Sequence, residues 1–232
     1  MIVGGGLLGS QFQNTFSKDS RVTIFASGVS DSTSEEESAF GRERTMLTQA
    51  LQQEKLLIYF SSCCIYDPDQ KQTAYTKHKL AMEALVKKSK RFLIFRLPQI
   101  VSSSNNQVTL ANYIYGKIST NQHFSVWRNA FRNIIDVEDI RKIATTIILS
   151  SFHEKQFNRT LNIASTKMTS VVSLVQIFEH VLKSKALYTL IDKGSFFEID
   201  TTDQKRVCDE LNIRFTDTYE RELINKYYGN RS

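Results

Sequence analysis

Short apolar runs alternate with amphipathic stretches along most of the chain. Residues 1–3 read as the tail of a buried strand that runs into Gly4-Gly5-Gly6-Leu7-Leu8-Gly9, and residues 10–16 follow as a helix. A second apolar run at 22–26 ends at Ser27-Gly28, and the polar, acidic residues 32–38 form a loop and helix start before a helix over about 36–52. Residues 56–60 are apolar throughout and bounded by polar residues, the pattern of a strand buried on both faces. Over 76–88 the apolar residues Leu80, Ala81, Ala84 and Leu85 have the spacing of an amphipathic helix. A strand at 92–97 is stopped by Pro98. Strands alternating with helices predict an α/β fold with a parallel sheet and crossover connections. Beyond it, helices at 137–149 and 171–182, a strand at 160–163, strand-like runs from 187 and a last helix at 218–228 predict segments that return to the sheet and build a small C-terminal lobe.

Composition narrows the class. With 41% hydrophobic and 23% charged residues, the 232-residue chain is an ordinary globular protein, expected as one domain over 1–232. The net charge of +6 is spread along the sequence. Its densest run, Lys87-Lys88-Ser89-Lys90-Arg91, falls at the end of a predicted helix, where cations complement the helix dipole. Aromatic and basic residues are not interleaved, so no nucleic-acid partner is expected, whereas a mildly basic protein suits an anionic small substrate such as a sugar diphosphate. Cys63, Cys64 and Cys208 make no disulfide framework, and no metal-ligand spacing occurs. No run approaches the roughly 18 apolar residues of a membrane span, and the expected location is the cytoplasm.

Gly4-x-Gly6-x-x-Gly9 lies between a strand and a helix start. In that context the first glycine permits a tight turn and the second lets the backbone approach a pyrophosphate. The third allows close packing of helix on strand, and the helix N-terminus supplies donors to the anion. Glycine turns also serve simply to change direction. A dinucleotide fold adds an acidic residue after the second strand; here residues 22–26 end in Ser27, and Asp31 is the nearest carboxylate.

The strand at 56–60 continues into Ser61-Ser62-Cys63-Cys64-Ile65-Tyr66, and a helix opens near Tyr75. Tyr75 and Lys79, four apart, share one helix face. An ammonium beside a phenol favours the phenolate, which makes Tyr75 usable as a general acid or base. Ser62 can hydrogen-bond the same substrate oxygen. A Tyr and a Lys four apart occur on many helices by chance; the pair gains meaning downstream of a glycine turn and a strand ending in serines.

These residues resemble the extended short-chain dehydrogenase/reductases that modify nucleotide sugars, the NAD-dependent epimerase/dehydratase group, over nearly the whole chain. The glycine turn, Phe25-Ala26-Ser27-Gly28, Phe60 to Tyr66, Tyr75-x-x-x-Lys79, Arg96-Leu97-Pro98-Gln99, Arg132 to Asp139 and Asn162-Ile163-Ala164 each look like the corresponding stretch of that family. The resemblance implies a Rossmann-like doubly wound parallel sheet, with about 1–101 as the cofactor-binding part and about 102–232 as a mixed part contributing the substrate-side lobe. NAD or NADP would be held by Gly4, Gly6, Leu7, Leu8, Gly9, Ala26, Ser27, Tyr75, Lys79 and Pro98. Ser62, Tyr75 and Lys79 would be catalytic, and a nucleotide sugar would meet Ser62, Cys63, Gln99, Asn112 and Arg132. A structural cysteine, a helix start and a surface ion pair are the plainer readings of Cys63, Asn112 and Arg132. The family's homodimers form through the helix equivalent to 76–88.

Two departures shape the expectation. If residues 22–26 are the family's fourth strand, its second and third strands are largely absent, along with the usual adenosine pocket, so NAD versus NADP stays open. Cys63-Cys64 stands where the family's dehydratases carry Asp-Glu, which favours 4-ketoreduction or 4-epimerisation over dehydration. A non-catalytic dinucleotide-binding regulator or scaffold is the alternative.

Overall fold

A computed structural model describes residues 1–104 and 109–231. In chain order β1 (Ile2–Val3), α1 (Leu7–Gln11), α2 (Gln13–Phe16), β2 (Val22–Phe25), α3 (Glu37–Leu51), β3 (Leu56–Ser62), α4 (Ala74–Val86) and β4 (Phe92–Leu97) come first. The chain then leaves the sheet through β5 (Gln99–Val101), α5 (Leu110–Ser119), β6 (Phe124–Trp127), β7 (Phe131–Arg132) and β8 (Ile134–Asp136), and returns with α6 (Val137–Glu154) and β9 (Arg159–Asn162). It continues through β10 (Thr169–Ser170), α7 (Val171–Leu182), β11 (Tyr188–Ile191), α8 (Lys205–Glu210) and α9 (Tyr219–Tyr228). The central sheet is parallel, in the order β1-β2-β3-β4-β9.

β1 to β4 are mostly apolar, and helices cover both faces of the sheet. Alternate residues Ile24, Ile58 and Phe95 join Phe12 and Phe16 of α1–α2, Ile143 of α6 and Val207 of α8 in one core. Their neighbours Phe25, Tyr59 and Ile94 pack with Leu47 of α3 and Met82 of α4 on the other side.

The strand order never reverses, yet α1–α2 lies on one face while α3 and α4 lie on the opposite one. The β1–β2 connection therefore has the opposite hand from the β2–β3 and β3–β4 connections. α6, which leads back into β9, shares the face of α1–α2. Ile2 and Val3 pair directly with Ile24 and Phe25, and β1 is an edge of the sheet.

The helix at 76–88 corrects its predicted burial. Leu80 is 44% exposed and Ala81 and Ala84 are also outside, while α4 buries Tyr75, His78, Lys79, Met82, Glu83 and Val86. Charged groups can turn inward because each finds a partner there. His78 and Lys79 meet Glu43 of α3; Glu83 takes a bidentate pair from Arg96 at 2.8 and 2.7 Å and a 2.7 Å bond from Ser61. A second core, with Ile114, Phe124, Leu174, Phe178, Ile224 and Tyr228, unites α5, β6, α7 and α9 as a lobe. Among the described residues no helix is long and apolar enough to cross a membrane.

Candidate active site

In a parallel sheet all strands end on the same side. The ends of β1, β2 and β3 bring together the glycine turn, Ala26 to Gly28, and Ser62. β1 and β2 send their chains to opposite faces, the arrangement at which open α/β sheets bind ligands. Gly4 has φ +106°, and a Cβ there would stand 2.6 Å from the Ala26 carbonyl oxygen. A Cβ on Gly9 would lie 2.1 Å from the Gly4 oxygen, whereas one on Gly6 would meet nothing within 4 Å. The first and third glycines thus close the turn and the second leaves its backbone open, the arrangement a pyrophosphate needs. Leu7 and Leu8 open α1 behind it, and Ser27 donates to Met46 Sδ at 3.5 Å. Asp31, the carboxylate weighed for a ribose, accepts from the Thr33 amide and hydroxyl at 2.8 and 2.7 Å.

Ser62, at the end of β3, lies near Tyr75, in the first turn of α4. The Ser62 oxygen accepts from the Cys64 amide at 3.2 Å. Lys79 Nζ lies 5.6 Å from the centre of the Tyr75 ring, so all three groups converge. The electrostatics differ from expectation. Burial pushes the Tyr75 phenol well above its ordinary value, Cys64 adds to the rise, and the neighbouring Ser62 opposes it. Lys79 is only 2% exposed, and burial lowers its proton affinity against the pull of Glu43. Its ammonium sits 3.2 and 3.4 Å from the two Glu43 oxygens and 3.4 Å from the Tyr59 hydroxyl, so its hydrogen bonds go to Glu43 and Tyr59.

The substrate-side residues divide. Cys63 is buried near Glu83 and Arg96, and burial drives its thiol far above the ordinary range. The half-buried Cys64 is the thiol beside Tyr75, with Sγ 3.4 Å from Thr76 Oγ1. Arg132 is paired with the buried Asp67 at 3.3 Å. Burial raises the Asp67 carboxyl, and Arg132 pulls it down. Pro98 and Gln99 follow β4, and the Gln99 amide donates to the Asn133 carbonyl at 3.1 Å. Asn112 lies apart, buried in the lobe: it accepts from Tyr228 at 2.7 Å and Arg231 at 3.1 Å and donates to the Ser104 carbonyl at 2.8 Å. A cleft of about 530 Å³ opens between Tyr66, Asn133, Lys167, Met168, Phe196 and Asp200.

Glu43, Cys64, Asp67 and His78 are the groups that motif reading missed. Glu43 alone left a signal, since it shares the spacing of the buried Leu47 and Ala50 along α3.

No protein-family model matches the sequence, and no curated protein sequence matches it. Solved structures do. UDP-galactose 4-epimerase aligns with TM-score 0.70 at 15% identity, over 94% of this chain and 80% of that one. RMD from Pseudomonas aeruginosa, complexed with NADPH, aligns with TM-score 0.70 at 14% identity, over 100% and 99% of the two chains. The dTDP-glucose 4,6-dehydratase of Bacillus anthracis str. Ames, in complex with NAD, gives 0.70 at 12% identity, over 99% and 80%. The chain thus shares the Rossmann-type α/β fold of these structures.

Proposed function

We propose that this protein is an NAD(P)-dependent oxidoreductase or epimerase acting on a nucleotide-activated sugar in polysaccharide or deoxysugar biosynthesis, by 4-ketoreductase or 4-epimerase chemistry. The observation that carries it is the convergence of Ser62, Tyr75 and Lys79 at the same sheet end as the glycine turn. The nicotinamide cofactors and nucleotide-sugar names of the structural neighbours support the same reading.

The open backbone at Gly5 and Gly6 fits a pyrophosphate, with Leu7, Leu8, Gly9, Ala26 and Ser27 around it. When bound, the nicotinamide supplies or accepts a hydride. Tyr75, whose phenol burial keeps protonated, can donate a proton to the substrate oxygen. Ser62 orients the Tyr75 hydroxyl and the substrate oxygen. Arg132, partly answered by Asp67, supplies a planar donor to the diphosphate, with Gln99 nearby.

Tyr75→Phe tests the mechanism. Turnover of a UDP- or dTDP-4-keto sugar, read by loss of nicotinamide fluorescence, is expected to fall by about 10²–10⁴-fold while folding and cofactor binding persist. Undiminished turnover removes Tyr75 from the mechanism. A second reading, a non-catalytic dinucleotide-binding regulator, is favoured by the pairing of Lys79 with Glu43. It requires that the wild-type protein bind a nicotinamide dinucleotide and turn over no sugar nucleotide.

A further inference from the structure

One buried carboxylate links the cofactor loop to the catalytic helix. The Glu43 side chain is 0% exposed and meets donors from three directions. The Val29 amide reaches it at 2.7 Å from the loop after β2, and the Tyr59 hydroxyl at 2.7 Å from β3. His78 Nε2 at 2.9 Å and Lys79 Nζ at 3.2 Å reach it from α4. The backbone of the loop closes directly over this pair: a Cβ on Gly28 would stand 2.7 Å from Lys79 Nζ and 3.0 Å from Glu43 Oε1. Neutralising a buried lysine takes one acceptor. Here the same carboxylate also fastens the loop that follows Ala26 and Ser27, so the cofactor side and the proton-transfer side share one anchor.

We propose that Glu43 is the positioning residue of the site, holding the Lys79 ammonium beneath Gly28 and fastening the Ala26–Val29 loop to α4. The proposal rests on the reading of Ser62, Tyr75 and Lys79 as the catalytic groups. The titratable groups facing Lys79 are Glu43 from α3, Tyr59 from β3, Cys64 from the turn after β3, and Tyr75 and Glu83 from α4 itself. Glu83 is committed to Arg96, which leaves Glu43 as the carboxylate bonded to the ammonium. Burial lowers the proton affinity of Lys79 and Glu43 opposes it, so removing the Glu43 charge leaves burial unopposed.

The experiment follows the Lys79 signal in protein carrying carbon-13 at the lysine ε position, assigned with Lys79→Arg, as pH is raised. In Glu43→Gln, Lys79 is expected to titrate about 1–3 pH units below its wild-type value. Glu43→Asp, which keeps the charge with a shorter reach, is expected to restore part of that shift, and serves as the test variant if Glu43→Gln does not fold. An unchanged Lys79 in the folded variant, including no titration in either protein, overturns the proposal. Each protein is also titrated with NADH and NADPH. Weaker binding by the variants is expected, and unchanged binding refutes the fastening of the loop. A wild-type protein that binds neither removes the enzymatic reading, while the Lys79 titration still decides the role of Glu43.

Discussion

At the first turn, an added methyl group meets three different surroundings. At Gly9 it collides with the Gly4 carbonyl, at Gly4 it is strained as well as crowded, and at Gly6 it faces open space. Gly9→Ala is expected to lower stability by about 1–3 kcal/mol, read as a shift of the urea midpoint. Gly6→Ala should unfold at the wild-type midpoint and bind nicotinamide dinucleotide more weakly, because its methyl stands where phosphate oxygens approach. Wild-type binding by Gly6→Ala would place the dinucleotide elsewhere. The places of the glycines, Ser62, Tyr75 and Lys79 on their elements were legible in the sequence because local geometry fixes them: a turn between strand and helix, a strand end, a helical repeat of four. Glu43 was obscured because its partners lie 14 to 36 positions away and most of its neighbours along the helix are polar. Which of two adjacent cysteines faces Tyr75 depends on the rotation of the short 3-10 turn at Cys63–Tyr66, which composition does not encode.

Between elements, the joint of α3 and α4 governs the response to acid. Burial works to raise the Glu43 pKa. The hydrogen bonds from His78, Tyr59 and Val29 and the charge of Lys79 more than offset burial and hold the carboxyl at about 2, against an ordinary 4.5. A depressed carboxyl contributes stability that is fully present above its unfolded pKa and is lost as pH falls through the folded one. The wild-type protein should therefore weaken between pH 4.5 and about 2 more steeply than Glu43→Gln. Equal slopes in urea unfolding across that window would mean that the carboxyl is not held ionised. At neutral pH, Glu43→Gln is expected to cost about 3–5 kcal/mol, since it leaves Lys79 buried without its counter-charge. The same joint explains why the stripe of α4 was misread. Periodicity assigns charged residues to the surface, and only the partners on α3, β3 and β4 bring His78, Lys79 and Glu83 inside.

For the whole molecule, the parallel α/β architecture was legible because both sheet faces are covered and β2 to β4 read as short, mostly apolar runs alternating with helices. The opposite hand of the β1–β2 connection was not, since it depends on which face α1–α2 shares with α6, a long-range packing choice. Its consequence is an edge strand, with no strand beyond β1 among the described residues to read an adenosine ribose. NADH and NADPH are therefore expected to bind within about tenfold of each other, a difference below roughly 1.4 kcal/mol. A strong preference for one dinucleotide would show that a ribose-reading group exists.

The most direct test of the central claim is a fluorescence titration of the wild-type protein with NADH and NADPH at neutral pH. The nicotinamide emission is expected to change and saturate with either, as the ring leaves water and comes beside Tyr75. A folded protein that leaves both emission spectra unchanged would contradict the claim, because the glycine turn and the Ser62, Tyr75 and Lys79 cluster would then share a sheet end without sharing a cofactor.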